Sequence, residues 1–168
     1  MTWIAPAALL LQIPLLLYVA AIDIATRLIH NEICLTLALL GIVSRIAAPT
    51  HIIESLVGAT ILFLLLIVIY ERGWIGGGDV KLLAALAIGL PLTGLVQLLT
   101  VTALAGAVLA AAHLMMRLLP YPGTSPAGSS LLRRVCAVER WRNLRRAPLP
   151  YGAAIACGGI WTLLSQGL

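Results

Sequence analysis

The sequence predicts an all-α polytopic membrane protein, a bundle of about six transmembrane helices with both termini outside the cytoplasm. The chain has 168 residues, of which 61% are hydrophobic and only 10% are charged, and its mean hydropathy is +1.06. Soluble domains are about 45–50% apolar and about 25% charged. A globule of this size cannot bury so many apolar side chains, so the bilayer must solvate most of them.

Six segments approach the length of about 20 mostly apolar residues that crosses a bilayer. They cover residues 3–22, 33–49, 52–70, 80–93, 95–118 and 148–166. The first is predicted to be a retained helix rather than a signal peptide, because no basic region precedes it and it contains Pro6 and Pro14. The fourth is short because Pro91 interrupts it. It forms either a tight hairpin with the fifth segment or one long kinked helix, which leaves five helices as the alternative.

The distribution of basic residues favours six helices over five. With an external N-terminus, ten of the 11 basic residues fall in inside loops and only Arg45 falls outside, as the positive-inside rule requires. Merging the fourth and fifth segments would move the Arg-rich stretch to the outside. The last predicted helix also carries small residues that permit close helix packing, namely Gly152, Ala153, Ala156 and Gly159.

Residues 120–147 are the only long hydrophilic stretch in what we predict to be a single domain, residues 1–168. This basic cytoplasmic loop begins with turn-forming residues and continues as LLRRVCAVERWRNLRR. That part is either a basic amphipathic helix on anionic inner-leaflet lipids or an unstructured loop. Because the positive-inside rule explains the net charge of +5, nucleic acid is not an expected partner.

The chain contains only two aspartates, Asp23 at the end of the first segment and Asp79 at the start of the fourth. The six-helix topology brings both to the cytoplasmic face of the bundle. Carboxylates near hydrocarbon are costly and usually functional. As a helix cap, Asp79 has a structural explanation, whereas an anion at the C-terminus of the first helix opposes the helix dipole.

Two neighbouring carboxyl groups can hydrolyse a peptide bond without a metal or a covalent nucleophile. They share one proton, because both cannot ionise at low cost. The ionised group takes a proton from water and the protonated group polarises the scissile carbonyl. The pair titrates as a unit, so the residue pattern does not say which acid holds the proton.

Several residues around the acids are candidates to support substrate binding. Gly76, Gly77 and Gly78 precede Asp79 and permit close approach of an extended peptide, or form a flexible turn. Lys81 stabilises the acid pair or the substrate carbonyl, or else anchors the chain at the inner leaflet. Asn31 belongs to the loop that follows Asp23. No metal-binding or cofactor-binding motif is present, so none is expected.

The motif GGGDVK, with the apolar helix after it, resembles the GxGD motif of the type IV prepilin peptidases, a family of membrane aspartyl proteases. The stretch from Asp23 to Asn31 resembles the family's first aspartate motif, in which Ile-Pro-Asn follows the Asp. Here His30 replaces the proline. The tail PLPYGAAIACGG resembles the family's terminal helix.

The resemblance implies a bacterial inner-membrane enzyme that cuts basic leaders from prepilins or pseudopilins at the cytoplasmic face, with Asp23 and Asp79 catalytic. Only 22 residues precede Asp23 and no paired CxxC motifs occur. The chain is therefore similar to the short, peptidase-only branch that serves tight-adherence (Flp-type) pili, and N-methylation is not expected. A proton- or cation-coupled transporter and a non-catalytic pilus or secretion assembly subunit are the alternatives. The pattern assigns no role to His30 or His113.

Overall fold

The computed structural model describes residues 3–47, 52–118 and 149–167, together with residues 49 and 138. Within these ranges it contains no strand, and it has six helices, α1 (Ile4–Thr26), α2 (Asn31–Ala47), α3 (Ile52–Glu71), α4 (Gly77–Ile88), α5 (Leu92–Leu118) and α6 (Tyr151–Gly167). The predicted all-α fold is confirmed. Apart from residue 138, the basic loop at 120–147 lies outside the described residues.

The chain forms two compact units, residues 1–105 with 150–168, and residues 106–149. The first contains α1 to α4, the first half of α5, and α6. The described part of the second is mainly the last part of α5. There the imidazole Nδ1 of the buried His113 lies 2.9 Å from the carbonyl oxygen of Leu109, one helical turn earlier.

Three helices are long and apolar enough to cross a membrane: Ile4–Thr26, Ile52–Glu71 and the Leu92–Met116 part of α5. Their outward faces carry large apolar side chains that are more than half exposed, including Leu10, Leu17, Ile53, Leu64 and Val96. In water such faces would be unfavourable, whereas lipid tails solvate them. The chain is therefore a membrane protein.

Helix α4 is the most buried helix of the first unit. It packs against α2, α3 and α6, while α1 packs against α2 and α6. Leu82, Leu86 and Ala87 of α4 are almost completely buried and join one apolar core with Leu16, Leu37 and Ile155. This central position holds the first turn of α4 firmly between its neighbours.

The predicted break around Pro91 separates two helices. Helix α4 ends at Ile88, five residues before the predicted end, and α5 begins at Leu92. The turn is closed by the N–H of Leu90, which donates to the carbonyl of Ala87. The proline ring prevents α4 from continuing because Pro91 has no N–H for the helix ladder.

The first half of α5 runs antiparallel to α6. Gly94, near the start of α5, contacts Gln166, near the end of α6. Further along α5, Thr102 contacts Gly158, which lies earlier in α6. Since α6 runs from the end of the bundle that holds Asp23 towards the end that holds Gly94, α4 and α5 form the predicted hairpin.

Candidate active site

Asp23 is buried in the last turn of α1, where it faces the N-terminus of α6. Only 4% of its surface is exposed. Its Oδ2 accepts a hydrogen bond of 3.1 Å from the N–H of Ala153, in the first turn of α6. The first N–H groups of a helix have no partner within the helix, and they carry the positive end of its dipole. The Asp23 carboxylate therefore caps α6, although it stands at the unfavourable end of α1.

Gly152 makes room for this carboxylate. A Cβ atom on Gly152 would lie 2.9 Å from both Cγ and Oδ2 of Asp23. Real Cβ atoms do not tolerate such contacts, so any larger residue would push the acid away from the helix terminus.

Asp79 lies in the first turn of α4, ahead of the helix's buried apolar stretch. Gly76 is the N-cap, with an extended backbone at φ −73° and ψ 144°. The Asp79 side chain hydrogen-bonds back to the Gly76 backbone, which is half of a capping box. A Cβ atom on Gly76 would lie 3.0 Å from Oδ2 of Asp79, so a glycine at this position leaves space beside the acid.

The structure brings the two acids into electrostatic contact at the same end of the bundle. Burial and then the negative charge of Asp23 raise the pKa of Asp79 to about 6, and the bond to Gly76 offsets only part of this. A buried carboxyl beside another carboxylate retains its proton because two adjacent charges are costly. Around neutral pH, Asp79 is therefore poised to hold or release a proton.

Ile29 lies between the two acid-bearing regions. It belongs to the linker between α1 and α2. Its Cβ lies 3.2 Å from the Cβ position of Gly78, the neighbour of Asp79, and its Cδ1 lies 2.9 Å from the Cβ position of Gly152, the neighbour of Asp23. One side chain therefore contacts the first turns of both α4 and α6.

The candidate supporting residues line the same end of the bundle. The Nζ of Lys81 donates a hydrogen bond of 2.9 Å to Oδ1 of Asn31, which joins the first turn of α4 to the start of α2. Gly77 lies against the ring of Tyr70, which is 3.3 Å from its Cβ position. Of these residues, Gly76 lies directly beside an acid, Asp79, whereas Lys81 and Asn31 contact each other.

Four further polar residues at this end, namely Arg72, Glu32, Glu71 and His30, lie at the surface. The guanidinium of Arg72 stacks over Trp74 at 5.9 Å from the ring centroid. Glu32 and Glu71 are exposed. His30 is also exposed, and its backbone carbonyl accepts hydrogen bonds from Ile33 and Cys34 at the start of α2.

Sequence reasoning missed three parts of this site. It treated Gly152 and Ala153 as general packing residues and gave Ile29 no role. Ala153 and Asp23 are 130 positions apart, so no local pattern joins them. The available signal was the order Pro150-Tyr151-Gly152: a proline just before a helix marks an N-terminus, where N–H groups attract an acid.

This arrangement can perform proton transfer at a buried, partly open position. One acid receives an N–H bond and the other has a pKa near 6, which suits general acid–base chemistry. Among the residues that the structure describes, no group of three His, Cys, Asp or Glu side chains is arranged to hold a metal ion.

Comparison with protein families gives one match. A sequence model described as the type IV leader peptidase family matches residues 10–111, which is more than half of the chain and includes both aspartates. Comparisons with curated proteins and with solved structures give no match.

Proposed function

The chain belongs to the type IV leader peptidase family, and we propose that it is a multi-pass aspartyl endopeptidase in which Asp23 and Asp79 form the catalytic pair. The observation that carries this proposal is the electrostatic contact between Asp79 and the buried Asp23, which adds to the effect of burial in raising the pKa of Asp79 to about 6. Two acids joined by such coupling can divide the roles of base and acid between them.

The surroundings of the two acids suggest which one holds the shared proton. Asp23 accepts the N–H of Ala153 at the positive end of α6, and both effects favour its ionised form. Asp79 carries the raised pKa. Asp23 therefore acts first as the general base and Asp79 as the general acid.

Hydrolysis then follows in two steps. Asp23 takes a proton from water as the oxygen attacks the scissile carbonyl carbon, and Asp79 gives its proton to the carbonyl oxygen. The tetrahedral intermediate collapses when the C–N bond breaks. The amine leaves with the proton that Asp23 took up, and a proton from the intermediate's hydroxyl returns to Asp79, which restores the starting state.

The substrate we propose is the leader of a type IV prepilin, of the Flp type, cut at the cytoplasmic face of the inner membrane. Membership of the family supports a prepilin substrate. The described basic residues support the membrane face, because Arg27, Arg72 and Lys81 lie at the end of the bundle that carries the acids and Arg45 lies at the other end.

Co-expression with an Flp-type prepilin and with a type IVa prepilin tests this proposal. Leader removal is scored by the mobility and N-terminal sequence of the pilin. The wild-type chain is expected to cut the Flp-type leader, and neither Asp23→Asn nor Asp79→Asn is expected to do so. If both variants retained cleavage, Asp23 and Asp79 would not be the catalytic pair. If the wild-type chain cut only the type IVa prepilin, the assignment of an Flp-type substrate would be wrong.

Asp→Glu variants separate this enzyme from a proton relay. An acid pair that shares one proton needs a fixed geometry, so an added methylene should abolish cleavage. A relay needs only a titratable group near the pathway. Asp79→Glu should therefore be as inactive as Asp79→Asn. Normal pilus assembly with Asp79→Glu but not with Asp79→Asn would favour the relay, and normal assembly with both would favour the assembly subunit.

A further inference from the structure

We infer that Ile29 is a positioning residue that sets the spacing between the two acids, and that the Lys81–Asn31 hydrogen bond holds it in place. This inference rests on the proposed function, since it assigns to Ile29 and Lys81 the work of keeping Asp23 and Asp79 at reacting distance.

The position of Ile29 is fixed from two sides. On one side its Cβ, Cδ1 and Cγ1 lie 3.2, 3.4 and 3.5 Å from the Cβ position of Gly78. On the other side its Cδ1 lies 2.9 Å from the Cβ position of Gly152. A Cβ atom at either glycine would be crowded by Ile29, so the Ile29 side chain packs directly against the backbone of two helix N-termini.

Each of these helix termini is tied to one acid. Gly78 precedes Asp79 in the first turn of α4, and Gly152 touches the Asp23 carboxylate. If Ile29 is shortened, the two first turns can move towards each other or rotate, because a cavity in a packed interior collapses at least in part. The distance between the acids then depends on the size of one side chain.

The linker that carries Ile29 is held at both of its ends. At the start, the N–H of Arg27, which adopts a left-handed conformation with φ 59°, donates to the carbonyl of Asp23. At the other end, Asn31 accepts the hydrogen bond from Lys81. Lys81 follows Gly78 by three residues in α4. Its hydrogen bond to Asn31 therefore holds the linker against the helix that Ile29 contacts.

Lys81 is accordingly a positioning residue rather than a group that contacts the substrate. In a role at the substrate carbonyl, the ammonium would have to leave Asn31, and loss of Asn31 would then do little harm. In a positioning role, Lys81→Met and Asn31→Ala remove the same bond, so the double variant should be no worse than either single one.

The test measures steady-state cleavage of a purified prepilin by the full chain in detergent. Ile29→Ala is expected to lower kcat on the order of ten- to a hundredfold with little change in KM, because small displacements of reacting groups are costly. Ile29→Val, which removes only Cδ1, should fall between it and the wild type. Ile88→Ala is the matched control, a half-buried isoleucine packed on the same core at the other end of α4, and should leave kcat unchanged.

A double-variant comparison adds a readout that simple loss of stability does not move. Gly78→Ala would crowd Ile29 alone, so adding Ile29→Ala, which removes two of the three atoms nearest that methyl group, should restore part of the activity. Gly152→Ala would crowd Ile29 and Asp23, so Ile29→Ala should not restore it.

The outcomes separate this inference from the proposed function. If Asp23→Asn and Asp79→Asn abolish cleavage but Ile29→Ala keeps the wild-type kcat, the positioning role is overturned and the enzyme assignment stands. Equal loss of kcat in Ile29→Ala and Ile88→Ala, or additive losses in Lys81→Met and Asn31→Ala, would also overturn it. If the Asp variants still cleave, the proposed function itself fails.

Discussion

Two acids cap helix N-termini from a neighbouring helix, one at each end of the bundle. Asp23 of α1 accepts the N–H of Ala153 in α6 at 3.1 Å. Glu54 of α3 accepts the N–H of Leu92 in α5, also at 3.1 Å. The donor–acceptor distance is the same, and both bonds satisfy a backbone group that a membrane helix could not leave unpaired.

The two caps differ in the charge that stands next to them. Arg45 lies close enough to attract Glu54, so the negative charge of Glu54 has a positive partner at that end of the bundle. Asp23 instead faces Asp79, a second acid that its charge helps to keep protonated. In the proposed enzyme, the same kind of cap is a stabilising contact at one end and half of a proton-sharing pair at the other. The identity of the neighbour, rather than the cap, marks a reactive acid.

The largest expected effect is on prepilin cleavage, which should depend on the charge of Asp23 and not on the charge of Glu54. Asp23→Asn and Glu54→Gln each keep an oxygen that can accept the N–H and remove only the charge. We expect Asp23→Asn to lower prepilin cleavage by about 10²–10⁴-fold, the usual contribution of a general acid or base. Glu54→Gln should keep its kcat and lose about 0.5–1 kcal/mol of stability with the charge. If both variants lost cleavage to a comparable extent, the proposed difference in function between the Asp23 and Glu54 caps would be wrong.

The next effect concerns packing at the end far from the acids. Gly41 of α2 and Gly89 after α4 bring their backbones together, and a Cβ atom on Gly41 would lie 3.0 Å from the Gly89 Cα. Neither backbone can yield easily, so Gly41→Ala should cost about 1–3 kcal/mol. Thermal unfolding in detergent measures this, and kcat below the transition should match the wild type. A lower kcat would show that this end is coupled to the acids.

A smaller effect is the dependence of stability on pH. The pKa of Asp79 rises from 3.8 to about 6 on folding, so the folded chain binds its proton more tightly than the unfolded chain. The free energy of unfolding must then fall as pH rises from about 4 to about 6 and stay low above that range.

Asp79→Asn should remove this penalty. At pH 7 the variant should be more stable than the wild type by about 1–2 kcal/mol, a value reduced from the full shift because the acid is partly exposed. At a pH well below 3.8, the ordinary pKa of this acid, the wild-type acid is protonated in both states and the two proteins should be equally stable. Chemical unfolding at the two pH values measures this, and a variant less stable at pH 7 would contradict the proposed repulsion.

The smallest expected effect tests whether Glu32 and Glu71 attract a basic leader. Both are exposed at the end of the bundle that carries the two aspartates, and reversing both to Lys should weaken cleavage several-fold through a higher KM, since exposed charge pairs contribute up to about 1 kcal/mol each. The difference should shrink as salt is added. An unchanged KM at low salt would show that these glutamates do not bind the leader.

Much of the fold was predictable because it depends on local composition. Long apolar runs require helices in a membrane, and Pro91 requires a break, so the six helices and the α4–α5 hairpin follow from the sequence. The exact end of α4 did not follow, because the turn at Leu90 closes on Ala87 earlier than the apolar run itself ends.

By itself the sequence determined that the chain belongs in a membrane and that Asp23 and Asp79 are the acids to examine, because a carboxylate beside hydrocarbon is rare and costly. Only the tertiary structure decided what stands beside each acid. Ala153, Gly152 and Ile29 acquire their roles when α1, α4 and α6 pack together. The physical reason is that charge repulsion and steric contact act over a few ångströms in space, whatever the separation along the chain.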